Sequence, residues 1–333
     1  MDGRSAMSPI ESPAVAHVLQ PRAQPADDHP YLPATATTTR WGRLPCEQDS
    51  PVLVVEPGAT VVVDTVSHEG ILEDQGRDPV AYFAGHGVAV TAVPADAIAI
   101  AADGSHEPSD GPHVVTGPIA VTGARPGDLV AVRIKKLVPR VPYGVISSRH
   151  GRGLLPRRLP VAADTVSIFC AVEGLDEGLR QARATIPLRA GAADQRARFP
   201  LAPFLGLIGV STPGAERLHS TPPGLHGGNI DIALLQAGTT LYLPVQIPEA
   251  GVYLGDPHFA QGNGEIALTA LEASLRATVT LDLIPEAQAI EQFGPGRGVR
   301  LCLHERRDGL RHLTARRHRQ RCACPHQSGR FRD

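Results

Sequence analysis

The sequence predicts a mainly β protein, a sandwich- or barrel-like assembly of short strands with few helices and an irregular basic C-terminal tail. Three observations lead there. Short apolar runs rich in valine, isoleucine and threonine alternate with polar residues at the two-residue period of a strand. Pro-Gly and Gly-rich turns separate those runs, and helical periodicity is weak almost everywhere. With a single tryptophan, Trp41, and only 4% aromatic residues, aliphatic side chains have to fill the core.

The elements follow in order. Residues 1–29 are rich in Pro, Ala, Ser and Gln without apolar periodicity, which predicts a disordered extension. Residues 30–293 read as one β domain, divisible into 30–140 and 141–293. Within it PVLVVEPGATVVVDT, Pro51 to Thr65, reads as two strands joined by a Pro-Gly turn, hence a hairpin. The same device returns between Ile119 and Leu137, with Arg125-Pro126-Gly127-Asp128 as the turn. Thr165 to Val172 is a further strand, Thr239–Val245 and Gly251–Leu254 read as a pair, and Ala267 to Ile284 is a longer alternating run. After Phe293 the pattern stops. Residues 294–333 crowd arginines with four histidines and three of the five cysteines, and are expected to be disordered or non-native.

Composition narrows the function classes. At 42% hydrophobic, 20% charged and net charge −2, the chain is neither a disordered polyelectrolyte nor a duplex-wide nucleic-acid binder, so small molecules are the expected partners. No apolar run approaches the roughly 20 residues of a membrane span. The start lacks the basic-then-apolar order of a secretory signal, so a cytoplasmic location is expected. Cys46, Cys170, Cys302, Cys322 and Cys324 are an odd number without a CxxC pair, which suggests neither a disulfide framework nor a thiolate zinc site.

Lysine is confined to Lys135 and Lys136, and asparagine to Asn229 and Asn263. That bias matches a GC-rich coding sequence, so the abundance of Ala, Gly, Pro and Arg carries little functional meaning. The rare residue types carry more, and both asparagines fall where acidic residues and histidines also cluster.

That segment, Leu225 to Glu265, holds His226, Asn229, Asp231, Asp256, His258, Gln261, Asn263 and Glu265. In an extended stretch Asp256 and His258 point to one side, as a carboxylate and an imidazole sharing a divalent cation require. Asp231 is the obvious third ligand. Glu265 is then placed to take a proton from an activated water, with Gln261 or a glycine amide polarising a carbonyl. Taken on the residues alone, ordinary Asp/Asn-Gly turns and a solvated histidine are the simpler explanation of the same spacing.

In their order and spacing, HGGNID (226–231), LYLPV (241–245) and GDPHFAQGNGE (255–265) resemble the acetamidase/formamidase family. RWG at 40–42, HVVTGPIAVTGARPGDLVAVRI at 113–134 and FLGLIGVSTPG at 204–214 resemble further family blocks, and the likeness covers about Pro33 to Ile284. The resemblance implies a mainly β fold, a divalent metal (zinc, with calcium the alternative) and hydrolysis of a small linear amide such as formamide or acetamide to carboxylate and ammonia. Residue by residue it implicates Asp231, Asp256, His258, Gln261 and Glu265. His113, His226 and Asn229 are the candidate substrate contacts, while His68, Glu69 and His86 either line the mouth of the site or lie on the loop surface. A homo-oligomer is expected. The alternatives are a lactam or other small-amide hydrolase, a non-catalytic β-sandwich binding module, and an inactive pseudoenzyme whose altered tail has left the site open.

Overall fold

A computed structural model describes residues 18–22, 29–160, 165–188, 195–294, 296 and 298–302. The expectations for residues 1–17, 23–28 and 303–333 lie outside the described residues. The chain is mainly β, as its sequence predicts, and its strands form two sheets.

The six-stranded sheet runs β1 (Tyr31–Leu32), β4 (Ala59–Asp64), β16 (Leu275–Ile284), β6 (Leu129–Pro139), β13 (Thr240–Pro244) and β17 (Arg300–Cys302). The larger sheet has the path β10 (Arg196–Pro200), β9 (Arg183–Pro187), β8 (Thr165–Glu173), β7 (Tyr143–Arg149), β15 (Leu271–Glu272), β14 (Val252–Ala260), β11 (Phe204–Val210) and β12 (Gly227–Asn229). From that path β5 (Val114–Val121) branches off β14 and carries β2 (Thr39–Trp41) and β3 (Leu53–Val55). Three short α-helices are described: α1 (Pro79–Ala84), α2 (Ala95–Asp103) and α3 (Glu286–Phe293).

One hydrophobic cluster draws on both sheets, with Val61, Val63, Val130, Val132, Ile134 and Val279 from the smaller and Ile119, Phe204, Ile208, Val210, Val252 and Leu254 from the larger. Burying such aliphatic side chains contributes roughly 1.5–3 kcal/mol each. A second cluster packs Trp41, Ile71 and Val114 against Ile100 of α2. Beneath it Arg140, fully buried, bonds Asp96 through both terminal nitrogens at 2.6 and 3.0 Å and lies 3.7 Å from Asp64. Arg140 and Arg276 also bond the carbonyls of Leu19 and Gln20, which seats residues 18–22 on this ionic cluster.

The turns stand where the sequence puts them, but the hairpins do not. Ala59 N–H closes the Glu56–Ala59 turn, yet β3 pairs in parallel with β5 while β4 pairs with β16. The Arg125–Asp128 turn likewise carries the chain from β5 in one sheet to β6 in the other. β13 and β14 also lie in different sheets, and the Ala267–Ile284 run breaks at Ala273-Ser274 so that β15 and β16 do too. The physical reason lies in burial. β5 is buried along its whole length, so both of its faces need apolar neighbours and it sits inside the assembly, which a two-stranded ribbon cannot provide.

Candidate metal centre

β14 runs between β11, β5 and β15 and is buried along nearly all its length, yet it carries Asp256 and His258, which are 3% and 1% exposed. Charged groups placed so deep require compensation. Asp256 has φ 50°, Asp231 φ 44° and Glu265 φ 40°, so three of the carboxylates in question sit in the left-handed region that non-glycine residues avoid. Such backbone costs of order 1–3 kcal/mol per residue and is retained where the surroundings impose it, commonly at functional sites.

Around β14 the other groups converge. Gly206 of β11 lies beneath them: a Cβ there would stand 2.5 Å from Asp256 Oδ2, 2.6 Å from Asp231 Oδ1 and 2.6 Å from His258 Cε1. Its carbonyl accepts the N–H groups of Ile230 and Asp231, fixing the turn that aims Asp231 inward. His258 Nε2 is 3.1 Å from both Asp256 Oδ2 and Glu272 Oε2. His68, from the loop after β4, places Nδ1 3.5 Å from Asp256 Oδ1, and His113, just before β5, places Nε2 3.9 Å from Asp256 Oδ2.

Despite this proximity, His258 Nδ1 and Nε2, His68 Nδ1, Asp231 Oδ1, Asp256 Oδ1 and Glu272 Oε2 are buried without a hydrogen bond. Polar atoms that crowd together in the interior without hydrogen bonds fit a set of metal ligands. Two donors on one zinc ion at about 2.1 Å stand roughly 3.0–3.4 Å apart, close to the spacing of His258 from Asp256 and Glu272. Three overlapping sets of side chains could hold a metal: His68, His113 and Asp256; Asp256, His258 and Glu272; and Asp231, His258 and Glu265.

The electrostatics agree. Burial by itself would lower His258 and raise Asp256, but their mutual attraction, with Glu272 acting on His258 and His113 on Asp256, holds His258 well above and Asp256 well below its ordinary range. Burial, then the charges of Asp256 and Glu265, push Asp231 up. Burial also raises Glu265, against the charge of His258 and its bond from Gln261. Burial lowers His113 to about 4, leaving it a neutral imidazole suited to ligation.

The predicted residues divide accordingly. Asp231, Asp256 and His258 meet over Gly206. Glu265 lies at the rim with Asp231 and His258. Gln261 Nε2 donates to Glu265 Oε1 at 2.9 Å and to the Asp231 carbonyl at 3.0 Å, which commits both of its N–H groups. Asn229 donates to Asp231 Oδ2 at 2.8 Å and so acts on the centre through that carboxylate. His226 is buried beside Gly224 and Gly228, and burial lowers its pKa. His68 and Glu69 are 6% and 2% exposed and belong to the interior of the site, whereas His86 is exposed and stacks on Phe169.

Glu272 and Ser220 went unread in the sequence. A signal existed for Glu272: a lone carboxylate at a strand position in the apolar stretch ALTALEASL. Ser220 Oγ, 2.9 Å from His113 Nδ1, had none.

A β assembly enclosing a His/Asp/Glu cluster of this kind defines a candidate divalent-metal centre. Residues 210–294 match the sequence profile of the Acetamidase/Formamidase family. A formamidase of Methylophilus methylotrophus is 27% identical over 220 residues, which cover 55% of this chain and 54% of that protein. An acetamidase of Mycolicibacterium smegmatis is 29% identical over 199 residues, 46% and 49% of the two chains. The chain therefore spans about half the length of these curated relatives. The crystal structure of an acetamidase from Bacillus halodurans superposes with a TM-score of 0.55 at 25% identity, covering 77% of this chain and 71% of that one.

Proposed function

We propose that this chain hydrolyses the C–N bond of a small linear amide, releasing a carboxylate and ammonia. The observation that carries the reading is the group of buried, unbonded donor atoms on Asp231, Asp256, His258 and Glu272 within the segment that matches an amidase family. Asp256 and His258, with Asp231 and Glu272, would hold a divalent cation, zinc first and calcium as the alternative. Such a cation lowers the pKa of water and polarises a carbonyl oxygen, the two aids an unactivated amide needs.

The chain's own residues account for the remaining chemistry. Glu265, its affinity for a proton raised by burial, takes a proton from the attacking water and passes it to the nitrogen that leaves as the C–N bond breaks. Gln261 is a positioning residue that holds Glu265 in reach through its 2.9 Å bond. Asn229 does the same for Asp231. His226 is kept as a candidate substrate contact, whereas His113, neutral, stands beside Asp256. A cysteine nucleophile fits poorly, because Cys170 is buried and burial pushes its thiol up to about 12.

No helix among the described residues is long and apolar enough to cross a membrane. We further propose a cytoplasmic homo-oligomer without nucleic-acid partners. The test is ammonia release from formamide, acetamide and a small lactam by the purified chain, before and after chelation and zinc restoration. Release that stops on chelation and returns with zinc supports the reading. A folded, zinc-loaded protein that binds an amide without turnover makes it a binding module instead.

A further inference from the structure

We infer that the centre holds two cations, the second seated on His68, His113 and Asp256, with Asp256 bridging the pair. The inference rests on reading the centre as a metal site but not on the identity of the substrate.

The donor atoms gather about Asp256. Oδ1 faces His68 Nδ1 at 3.5 Å, while Oδ2 faces His258 Nε2 at 3.1 Å and His113 Nε2 at 3.9 Å. His68, His113 and Asp256 offer one ligand atom each within 4.8 Å of one another, and Asp256, His258 and Glu272 do so separately. Asp256 is the residue common to both sets. Glu272 Oε2 reaches toward the first set as well, 4.0 Å from His68 Nδ1. His68 Nδ1 and Asp256 Oδ1 are buried and make no hydrogen bond.

The outer partners match what ligating histidines need. A metal-bound imidazole presents one nitrogen to the ion and has the other fixed by a carboxylate or hydroxyl behind it. Behind His68 stands Glu69, with Oε1 3.6 Å from His68 Nε2. Glu69 is in turn held by Ser147, Gln75 and Arg149. Behind His113 stands Ser220, its Oγ 2.9 Å from Nδ1. Both histidines of the second set thus have a polar partner behind the ring.

The experiment uses the full chain, stripped by chelation, reconstituted with Mn²⁺ or Zn²⁺ and desalted. Metal per chain is measured by mass spectrometry, and the Mn²⁺ form by electron paramagnetic resonance. The expected result is two equivalents and a spin-coupled Mn²⁺ spectrum in the unsubstituted protein. His68→Gln and His113→Gln should each drop binding to one equivalent and restore the sextet of isolated Mn²⁺. One equivalent in the unsubstituted protein overturns the inference, and if ammonia release remains chelator-sensitive the hydrolase reading survives. Two equivalents kept by both variants also overturn it. No bound metal in a folded chain overturns this inference and the metal-dependent reading together. The measurement on the unsubstituted chain decides the matter even if neither variant folds.

Discussion

Gly206→Ala is the most direct test of how the centre is built. The added Cβ would stand 2.5–2.6 Å from atoms of Asp256, Asp231 and His258, so each has to retreat by about 0.8–0.9 Å to reach the 3.4 Å of ordinary contact. Overpacking of a tight site costs about 1–3 kcal/mol in stability. At about 2–4 °C per kcal/mol, the melting temperature should fall by several degrees while the fold survives. Function should suffer far more, because a displacement of about 1 Å in positioned groups costs on the order of 100-fold in rate. The assay pairs ammonia release with metal content and thermal unfolding. Gly262→Ala is the control, since a Cβ there meets nothing within 4 Å. If Gly206→Ala matches the parent in turnover and metal content, the three side chains do not act as one centre and the proposed site is wrong.

Other perturbations separate chemistry from architecture. Glu265→Gln should lower turnover by about 100- to 10,000-fold, the usual worth of a general base, with bound metal unchanged because Asp231, Asp256, His258 and Glu272 remain; full turnover would remove Glu265 from the mechanism. Arg140→Ala leaves Asp96 and Asp64 buried beside an empty space and should cost about 3–5 kcal/mol in denaturant unfolding, so a loss below about 1 kcal/mol would contradict the burial of this cluster. Asp49 gives a pH test. Burial alone would raise it, but bonds from Arg217, the Cys46 N–H and Arg40 hold it well below the usual carboxylate range. Its stabilisation is therefore complete above the unfolded carboxyl's pKa of about 3.9 and lost as pH falls toward the folded value. Asp49→Asn should flatten the acid limb of a stability–pH curve; an unchanged limb would show that the Arg217–Asp49–Arg40 bridge contributes nothing.

Several of the errors in reading the sequence share one cause. Turn chemistry is local: Pro57-Gly58 and Pro126-Gly127 reverse or redirect the chain whatever surrounds them. Pairing depends on partners far away, and β4 meets β16 more than 200 residues along the chain. A strand such as β5, apolar on both faces, therefore looks like half of a hairpin until the second sheet is present.

For the candidate site, residue type drew attention to Asp231, Asp256, His258 and Glu265, because charged and polar residues that cluster among glycines suggest ligands, and the family resemblance singled out the same residues. It could not show Glu272 as their partner or move His68 and Glu69 from the mouth of the site to its interior. Those roles are created by burial and by distances across strands. The sequence by itself determined that the chain is mainly β, where its turns fall, and which short segment gathers the candidate ligands, since backbone sterics and side-chain chemistry act over a few residues. The tertiary structure alone decided which sheet each strand joins and that His68, His113, Asp256, His258 and Glu272 crowd one buried space, because such contacts are stabilised only when distant segments exclude water together.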